Sequence, residues 1–310
     1  MVPLESRLVA ASEVWAQVTG WLVLGGNGQL GRSLQDVLNE RGIEHVALGS
    51  TNCDVTDPAS VAAALVYSRP EVVVNCAAWT AVDAAEAHEA KAQLVNAKGA
   101  GNVARACREN SARLVHVSTD YVFPGNQPAP YGENDATGPV SAYGRTKLQG
   151  EQTVSNEHRD GSYIVRTAWL YGPHGGNFAK TMLRRALAGT AVRVVDDQHG
   201  QPTLSTDLAW HIVDLVTNGA PAGMYHGTNS GATTWFQFAR LIYELAGADT
   251  SLVSPVPSSE YPTPATRPSN SVLGHARTIS AGVPEMRSWD DALRASISNI
   301  MKSVQSELEK

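Results

Sequence analysis

The chain has 310 residues, 43% of them apolar and 17% charged, with a formal net charge of −6 at pH 7. Such a composition is that of an ordinary globular protein, long enough for two domain-sized cores or for one large core with a smaller lobe. It argues against nucleic acid or an anionic membrane as a partner, and no apolar run approaches membrane-spanning length.

The first twenty residues, MVPLESRLVAASEVWAQVTG, have neither a basic n-region nor a continuous apolar h-region. They read as an extension (1–20) and not a secretory signal, so a cytoplasmic protein is expected. At Trp21 the pattern sharpens. WLVLGG is a short apolar run ending in glycine, as a buried parallel strand should be. NGQLGRSLQDVLNERG follows, with Leu30, Leu34, Val37 and Leu38 at helical spacing and Gly42 as the stop. HVALGS reads as a second strand, and DPASVAAALVYSRP as a helix capped by Asp57 with Pro58 in its first position. EVVVNCAA is a third strand, EAHEAKAQLVNAKGAGNVARACRENS is helical, and RLVHVSTD is the next strand. A Pro- and Gly-rich loop then leads to a helix beginning SAYGRTK. SYIVRTAWLYG and VRVVDDQHG complete the strand series. Repeated alternation of this kind predicts an α/β fold with a doubly wound parallel sheet, Rossmann-type.

Beyond Gly200 the pattern changes to helical segments around Leu208–Leu215 and Trp235–Ala246, separated by loops rich in Pro, Ser and Thr. The expected division is a dinucleotide-binding domain over 21–173 and 190–203, with 174–189 and 204–310 forming mainly a C-terminal substrate lobe. Cys53, Cys76 and Cys107 are odd in number and widely spaced, which suits buried free thiols in a reducing compartment better than disulfides or a metal site.

Gly25, Gly28 and Gly31 fall on the first strand-to-helix turn, where each has a job. The first makes the tight turn, the second lets backbone approach a pyrophosphate, and the third lets helix pack close on strand. Tyr143 and Lys147 lie one helical turn apart and share a face. An ammonium beside a tyrosine stabilises its phenolate, so the Tyr143 pKa is expected to fall toward the working pH, and the residue to serve as a proton donor or acceptor. Three clusters sit at strand ends, where an open parallel sheet binds ligands: Cys76-Ala77-Ala78, Ser118-Thr119-Asp120 and Arg166-Thr167-Ala168-Trp169. Ala77 and Ala78 suit close passage of a cofactor. The Ser118 and Thr119 hydroxyls are expected to meet a substrate oxygen near Tyr143. Singly, each cluster reads equally as strand-end capping.

Together GGNGQLG, NCAAWTAVDAAE, STDYVFPG, YGRTKLQGE, VRTAWLYG, NFAKTML, DDQHGQPT and YPTPATRPSNSVL resemble the dTDP-4-dehydrorhamnose reductase family of extended short-chain dehydrogenase/reductases, from about Trp21 to Trp289. The resemblance implies NADPH-dependent reduction of the 4-keto group of dTDP-4-dehydro-6-deoxy-L-mannose to dTDP-L-rhamnose. It implies Tyr143 as proton donor, Lys147 on the nicotinamide ribose and Thr119 as a third catalytic hydrogen-bonding group. The cofactor set it implies is Gly25, Gly28, Gln29, Leu30, Gly31, Arg32, Asp54, Val55, Ala77, Ala78 and Ser118, with Tyr143 and Lys147. Thr80, Asp120, Trp169 and Arg267 would meet the dTDP-4-keto-6-deoxyhexose. The expected assembly is a monomer or weak homodimer.

The second strand ends in Leu48-Gly49-Ser50-Thr51 with no acidic residue to bind an adenosine 2′-hydroxyl, which admits NADPH and leaves NADH open. Arg32, Ser50 or Thr51 could meet a 2′-phosphate. Asp54 contacts adenine if the family pattern holds, or else forms a turn. Some family members bind Mg²⁺ through glutamates where this chain has Ser33 and Thr206, which argues against a metal and a metal-built dimer. His174, His199 and His226 are expected in loops or the pocket, not as ligands. A ketoreductase for another dTDP-deoxysugar is one alternative. Sugar-nucleotide dehydratases and epimerases are another, although Tyr121 stands where dehydratases tend to carry a glutamate base. A non-catalytic NADP-binding regulatory subunit of methionine adenosyltransferase also resembles the family, but intact Thr119, Tyr143 and Lys147 favour an enzyme.

Overall fold

The computed structural model describes residues 20–308. The first half alternates strictly: β1 (Trp21–Leu24), α1 (Gln29–Glu40), β2 (His45–Leu48), α2 (Pro58–Ser68) and β3 (Val72–Asn75). The next helical stretch is broken into α3 (Val82–Ala87), α4 (Glu89–Gln93), a π turn over Leu94–Gly99, and α5 (Ala100–Glu109). Then come β4 (Arg113–Thr119), α6 (Ala142–His158), β5 (Ser162–Thr167) and the short β6 (Leu170–Tyr171).

The principal sheet has six parallel strands. β1 lies between β2 and β3, so the chain winds outward in both directions from the β1–β3 boundary. β1 and β3 are wholly buried because helices cover both faces, which is why they read as unbroken apolar runs. On one face Leu34, Val37 and Leu38 of α1 pack with Leu208, Ile212 and Val213 of a later helix; on the other, Val61, Leu65, Val103 and Val154 cover Leu22, Val73 and Leu114.

The second half runs α7 (Phe178–Leu187), β7 (Val192–Val195), β8 (His199–Gly200), β9 (Thr203–Leu204), α8 (Ser205–Thr217) and β10 (Gly223–His226). It closes with β11 (Thr233–Thr234), α9 (Trp235–Leu245), β12 (Val253–Val256), α10 (Ala276–Ser280) and α11 (Trp289–Leu308). Three features differ from the sequence reading. VRVVDDQHG does not extend the principal sheet: β7 pairs with β12 in a separate two-stranded ribbon. The sixth strand is instead β10, which pairs with β5 and buries Tyr225 in the sheet core. Four-residue strands carry no local mark of their partner, and Arg193 leaves β7 amphipathic, as a ribbon strand should be. The third is α11, for which the sequence reading has no element. Its Leu293, Ile297, Ile300 and Val304 recur at three- and four-residue spacing and pack with α7 and α9 in a second core. Residues 205–226 therefore cover and extend the sheet, while α7, α9, α11 and the β7–β12 ribbon make the smaller lobe, the division we propose. The expectation for residues 1–20 falls almost wholly outside the described part. Among the described residues no helix is long and apolar enough to cross a membrane.

Candidate active site

A cleft of about 450 Å³ opens at the carboxyl ends of β1, β3, β4 and β5, with Trp235 of the smaller lobe on its far wall. The first turn is shaped for close approach. Gly25 has φ +75°, and a Cβ there would stand 2.8 Å from the Ala77 nitrogen, because the ends of β1 and β3 touch at this point. A Cβ on Gly31 would come within 2.4 Å of the Gly25 carbonyl oxygen. Gly28 caps α1 in extended conformation with no side-chain cap, and no acidic residue occupies the first turn. The first-turn N–H groups and the positive helix end thus face the cleft free of any competing anion, which fits a dinucleotide pyrophosphate. Gln29 and Leu30 line the same wall, and Gln29 Oε1 accepts a 2.9 Å hydrogen bond from Asn177, tying the loop to the smaller lobe.

The outer part of the expected cofactor set is mixed. Arg32 is exposed, with no ion pair or side-chain hydrogen bond among the described residues, and is free to meet a phosphate. Asp54 is exposed, and its Oδ1 accepts from the Thr56 backbone N–H (2.9 Å) and hydroxyl (2.8 Å), so it closes a turn. Asp57 does its own work as the cap of α2, accepting from Ala59. Val55 is buried beneath Gly99 and Asn102. Ala77 lies against Gly25, and Ala78 and the exposed Thr80 line the cleft.

Helix α6 presents the reactive pair. Ser141 caps it through a 3.1 Å bond from the Gly144 N–H, and Glu86 accepts from the Ala142 N–H at 2.8 Å. Gly144 is obligatory, since a Cβ would lie 2.2 Å from the Tyr121 carbonyl oxygen. Tyr143 and Lys147 both line the cleft, and the Lys147 Nζ donates to the Val117 carbonyl at 2.6 Å. The expected depression of the Tyr143 pKa is not found. Burial pushes the phenol up, the nearby Thr119 hydroxyl opposes it, and Lys147 does not figure among the causes. Burial also pulls Lys147 down, to about 8, against the Glu151 carboxylate and Cys76. Desolvation outweighs the partner charge in both groups.

Thr119 donates to Asp120 Oδ1 at 2.9 Å and accepts from the Tyr121 N–H at 3.2 Å, so its proton is engaged within the loop. Burial raises Asp120 to about 6, although the Ser271 and Thr119 hydroxyls lower it. Ser118 departs from expectation: its hydroxyl donates to Glu151 at 2.6 Å in the buried layer under the cleft. Adjacent strand residues point to opposite faces, so Ser118 and Thr119 cannot both present hydroxyls to one substrate oxygen.

Trp169 is half-buried at φ +45°, which ends β5 and turns its ring flat onto Trp235, 3.6 Å between centroids and 11° between planes. Gly200 makes room, since a Cβ there would lie 2.4 Å from that ring. The residue is therefore both a seam between sheet and lobe and a wall of the cleft. Arg267 is paired with Asp83 at 2.8 Å and hangs over the Tyr121 ring, 5.9 Å from its centroid. Sequence reasoning missed Trp235, Glu151 and Asn96. Asn96, placed by the π turn, binds both backbone groups of Trp79 and the Thr146 hydroxyl of α6. Trp235 and Asn96 have no local signal, whereas Glu151, one helical turn after Lys147, carries the same spacing as the Tyr143–Lys147 pair.

Of the two positions where some family members carry glutamates, Ser33 forms a buried hydroxyl pair with Ser205 at 2.8 Å, and Thr206 is half-buried. No group of three or more His, Cys, Asp or Glu able to hold a metal occurs among the described residues. His174 pairs with Asp36; His199, though exposed, lies in β8, and His226 belongs to neither loop nor pocket. It lies buried in β10, its pKa driven down to about 3 by burial. All three cysteines are free; Cys53 and Cys107 are buried, and Cys76 is half-buried in the cleft wall.

A doubly wound sheet with an uncapped glycine-turn helix, and a Tyr-x-x-x-Lys pair beside it, defines the extended short-chain dehydrogenase/reductase class. Residues 20–302 match the family model described as RmlD substrate binding domain. The chain is 48% identical over 280 residues to a dTDP-4-dehydrorhamnose reductase of Streptomyces griseus, covering 89% of this chain and 92% of the relative. It is also 48% identical over 273 residues to a dTDP-4-keto-6-deoxy-D-glucose reductase of Streptomyces niveus, covering 88% and 94%. A crystal structure of the Bacillus anthracis dTDP-4-dehydrorhamnose reductase in complex with NADP superposes with a TM-score of 0.86 at 38% identity, over 90% of this chain and 98% of that one. The chain belongs to the RmlD family of dTDP-4-dehydrorhamnose reductases.

Proposed function

We propose that the protein is a cytoplasmic, NADPH-dependent reductase of the 4-keto group of a dTDP-4-keto-6-deoxyhexose, with dTDP-4-dehydrorhamnose as substrate and dTDP-L-rhamnose as product. The observation that carries this reading is the meeting, at one sheet edge, of an uncapped helix N-terminus behind Gly25, Gly28 and Gly31 with Tyr143, Lys147 and Thr119. When bound, NADPH supplies the hydride. The first turn of α1 would hold the pyrophosphate and Arg32 a 2′-phosphate. Lys147, anchored on Val117, would hold the ribose. Tyr143 remains a phenol through the neutral range, because burial raises it, and so gives its proton to the oxygen on which charge develops. Thr119 lines the cleft with Tyr143 and would turn its hydroxyl from Asp120 to the substrate oxygen, while Asp120, Trp169 and Thr80 line the sugar side. Arg267 reaches the sugar nucleotide only by exchanging its Asp83 partner, so its role there is part of the proposal. A monomer or weak homodimer without Mg²⁺ belongs to the same reading.

The equal likeness to a dTDP-4-keto-6-deoxy-D-glucose reductase favours one second reading, a different dTDP-deoxysugar from the same 4-keto reduction. Stoichiometric NADPH oxidation with dTDP-4-dehydrorhamnose, and assignment of the product's C4 configuration by NMR, tests both. Turnover giving the other epimer, or only with another keto sugar, moves the assignment to the second reading. NADPH binding without turnover of any dTDP-4-keto sugar overturns both.

A further inference from the structure

Beneath the cleft lies a buried ionic network that the proposed chemistry does not itself use. Arg166, on β5, grips Glu151 through two hydrogen bonds, Nε to Oε1 at 2.9 Å and a second guanidinium nitrogen to Oε2 at 2.8 Å. Both side chains are about 4% exposed or less. Ser118 adds a third bond, donating to Oε1 at 2.6 Å, and Arg166 also lies over the Phe123 ring and donates to the Glu133 carbonyl. Dry ion pairs of this kind give little net stability compared with apolar packing, because desolvation consumes most of the attraction. Their worth must be sought in what they position.

The position is informative. Glu151 follows Lys147 by one turn of α6, so the two side chains share a face. Ser118 stands between Val117, whose carbonyl holds the Lys147 ammonium, and Thr119, which lines the cleft with Tyr143. A single carboxylate thereby joins the helix carrying Tyr143 and Lys147 to the two strands that end under the cleft. We infer that Glu151, clamped by Arg166 and Ser118, is a positioning residue that keeps Lys147 charged and aimed at the cofactor ribose. This rests on the functional reading above. The other groups facing Lys147 do not replace it. Cys76, across from β3, is a neutral thiol pushed up to about 12 by burial. His116, on β4, is held neutral by burial and by Lys147 itself. Tyr143 stays neutral, and Arg166, the other buried cation of this layer, shares the Glu151 carboxylate and so reduces what it offers Lys147. Glu151 is thus the carboxylate that offsets part of the burial of Lys147, which still comes down to about 8.

The test is Glu151→Gln in the full chain, which keeps the shape and removes the charge. The pH dependence of NADPH affinity is read by fluorescence, with that of kcat/KM alongside. Without the carboxylate, Lys147 loses its proton at lower pH, so the alkaline limb of both profiles should move down by about one unit. A purely structural role would lower the melting temperature and leave both limbs in place, and that result would overturn the inference. If Glu151→Gln does not fold, Ser118→Ala decides. It loosens the Glu151 clamp without removing the charge, and should shift the alkaline limb of the NADPH-binding profile as well as weaken binding, whereas loss of a direct Ser118 contact to the cofactor would weaken binding equally at every pH and overturn the inference. Wild-type affinity and kinetics in that variant would equally overturn it. Turnover by the unmodified protein, run in parallel, tests the functional reading separately, because the binding profile reports on Glu151 whichever sugar is reduced.

Discussion

Asp120 gives a prediction whose sign and size both follow from its burial. It is 2% exposed, at the start of the loop after β4, and its carboxyl is raised from 3.8 to about 6. A raised carboxyl binds its proton more tightly in the folded chain than in the unfolded one. Folding therefore takes up protons between the two values, and stability falls as pH rises through that window. At 1.36 kcal/mol per unit the loss approaches ~3 kcal/mol once the pH is above 6, and none of it is present below 3.8. Asp120→Asn removes the titration while keeping an oxygen to accept from Thr119. Urea unfolding of variant and parent, compared at several pH values, cancels the contributions of every other group. The stability difference should favour Asn increasingly from about pH 4 to pH 7.5, by roughly 3 kcal/mol in total. A difference independent of pH would show that Asp120 titrates near its ordinary value, and that the loop is open to water or rearranges around the charge.

Three further outcomes are expected. Tyr143→Phe should lower kcat by about a hundredfold or more with NADPH affinity nearly intact, and loss of affinity at unchanged kcat would make Tyr143 a packing residue. Trp169→Ala strips the stacked face of Trp235 and the cleft wall at once, so it should cost about 2–4 kcal/mol of stability and also lower kcat/KM. A fall in melting temperature with unchanged kinetics would confine Trp169 to the seam. Arg32→Ala should weaken NADPH binding about tenfold or more and leave NADH binding nearly unchanged, which titration with the two coenzymes resolves; equal losses would remove Arg32 from the 2′-phosphate.

The parts legible in the sequence are those fixed by local pattern. Apolar strands before glycines, the 3-and-4 spacing of Leu30, Leu34, Val37 and Leu38, and the one-turn separation of Tyr143 and Lys147 need only neighbours in sequence. What was not legible depends on distant partners. Whether VRVV or GMYH joins the sheet is decided by β12 and β5, and neither run says so. Ser118 looks like a substrate donor until Glu151, 33 residues on, takes its proton. The π turn that delivers Asn96 to Trp79 and Thr146 lies in a run that reads as plain helix. α11 depends on no distant partner for its signal, since Leu293, Ile297, Ile300 and Val304 recur at three- and four-residue spacing.

The direction of the Tyr143 shift bears on which way the chemistry runs. A site whose first act is oxidation needs a base at this position, and a phenol raised by burial is a poor one. A site that delivers hydride to a ketone needs an acid that still holds its proton at neutral pH, and burial secures that for Tyr143. The same burial works against Lys147, bringing it to about 8, within reach of losing the charge that a cofactor ribose would meet. The two requirements conflict within one dry helix face, four residues apart. The Glu151 carboxylate eases the conflict without abolishing it: it opposes the burial of Lys147, whose value of about 8 already includes its effect, and it is absent from the groups that shift Tyr143. A reductase can thus keep both protons where it needs them, and the absence of a glutamate after Asp120, where Tyr121 stands, points the same way.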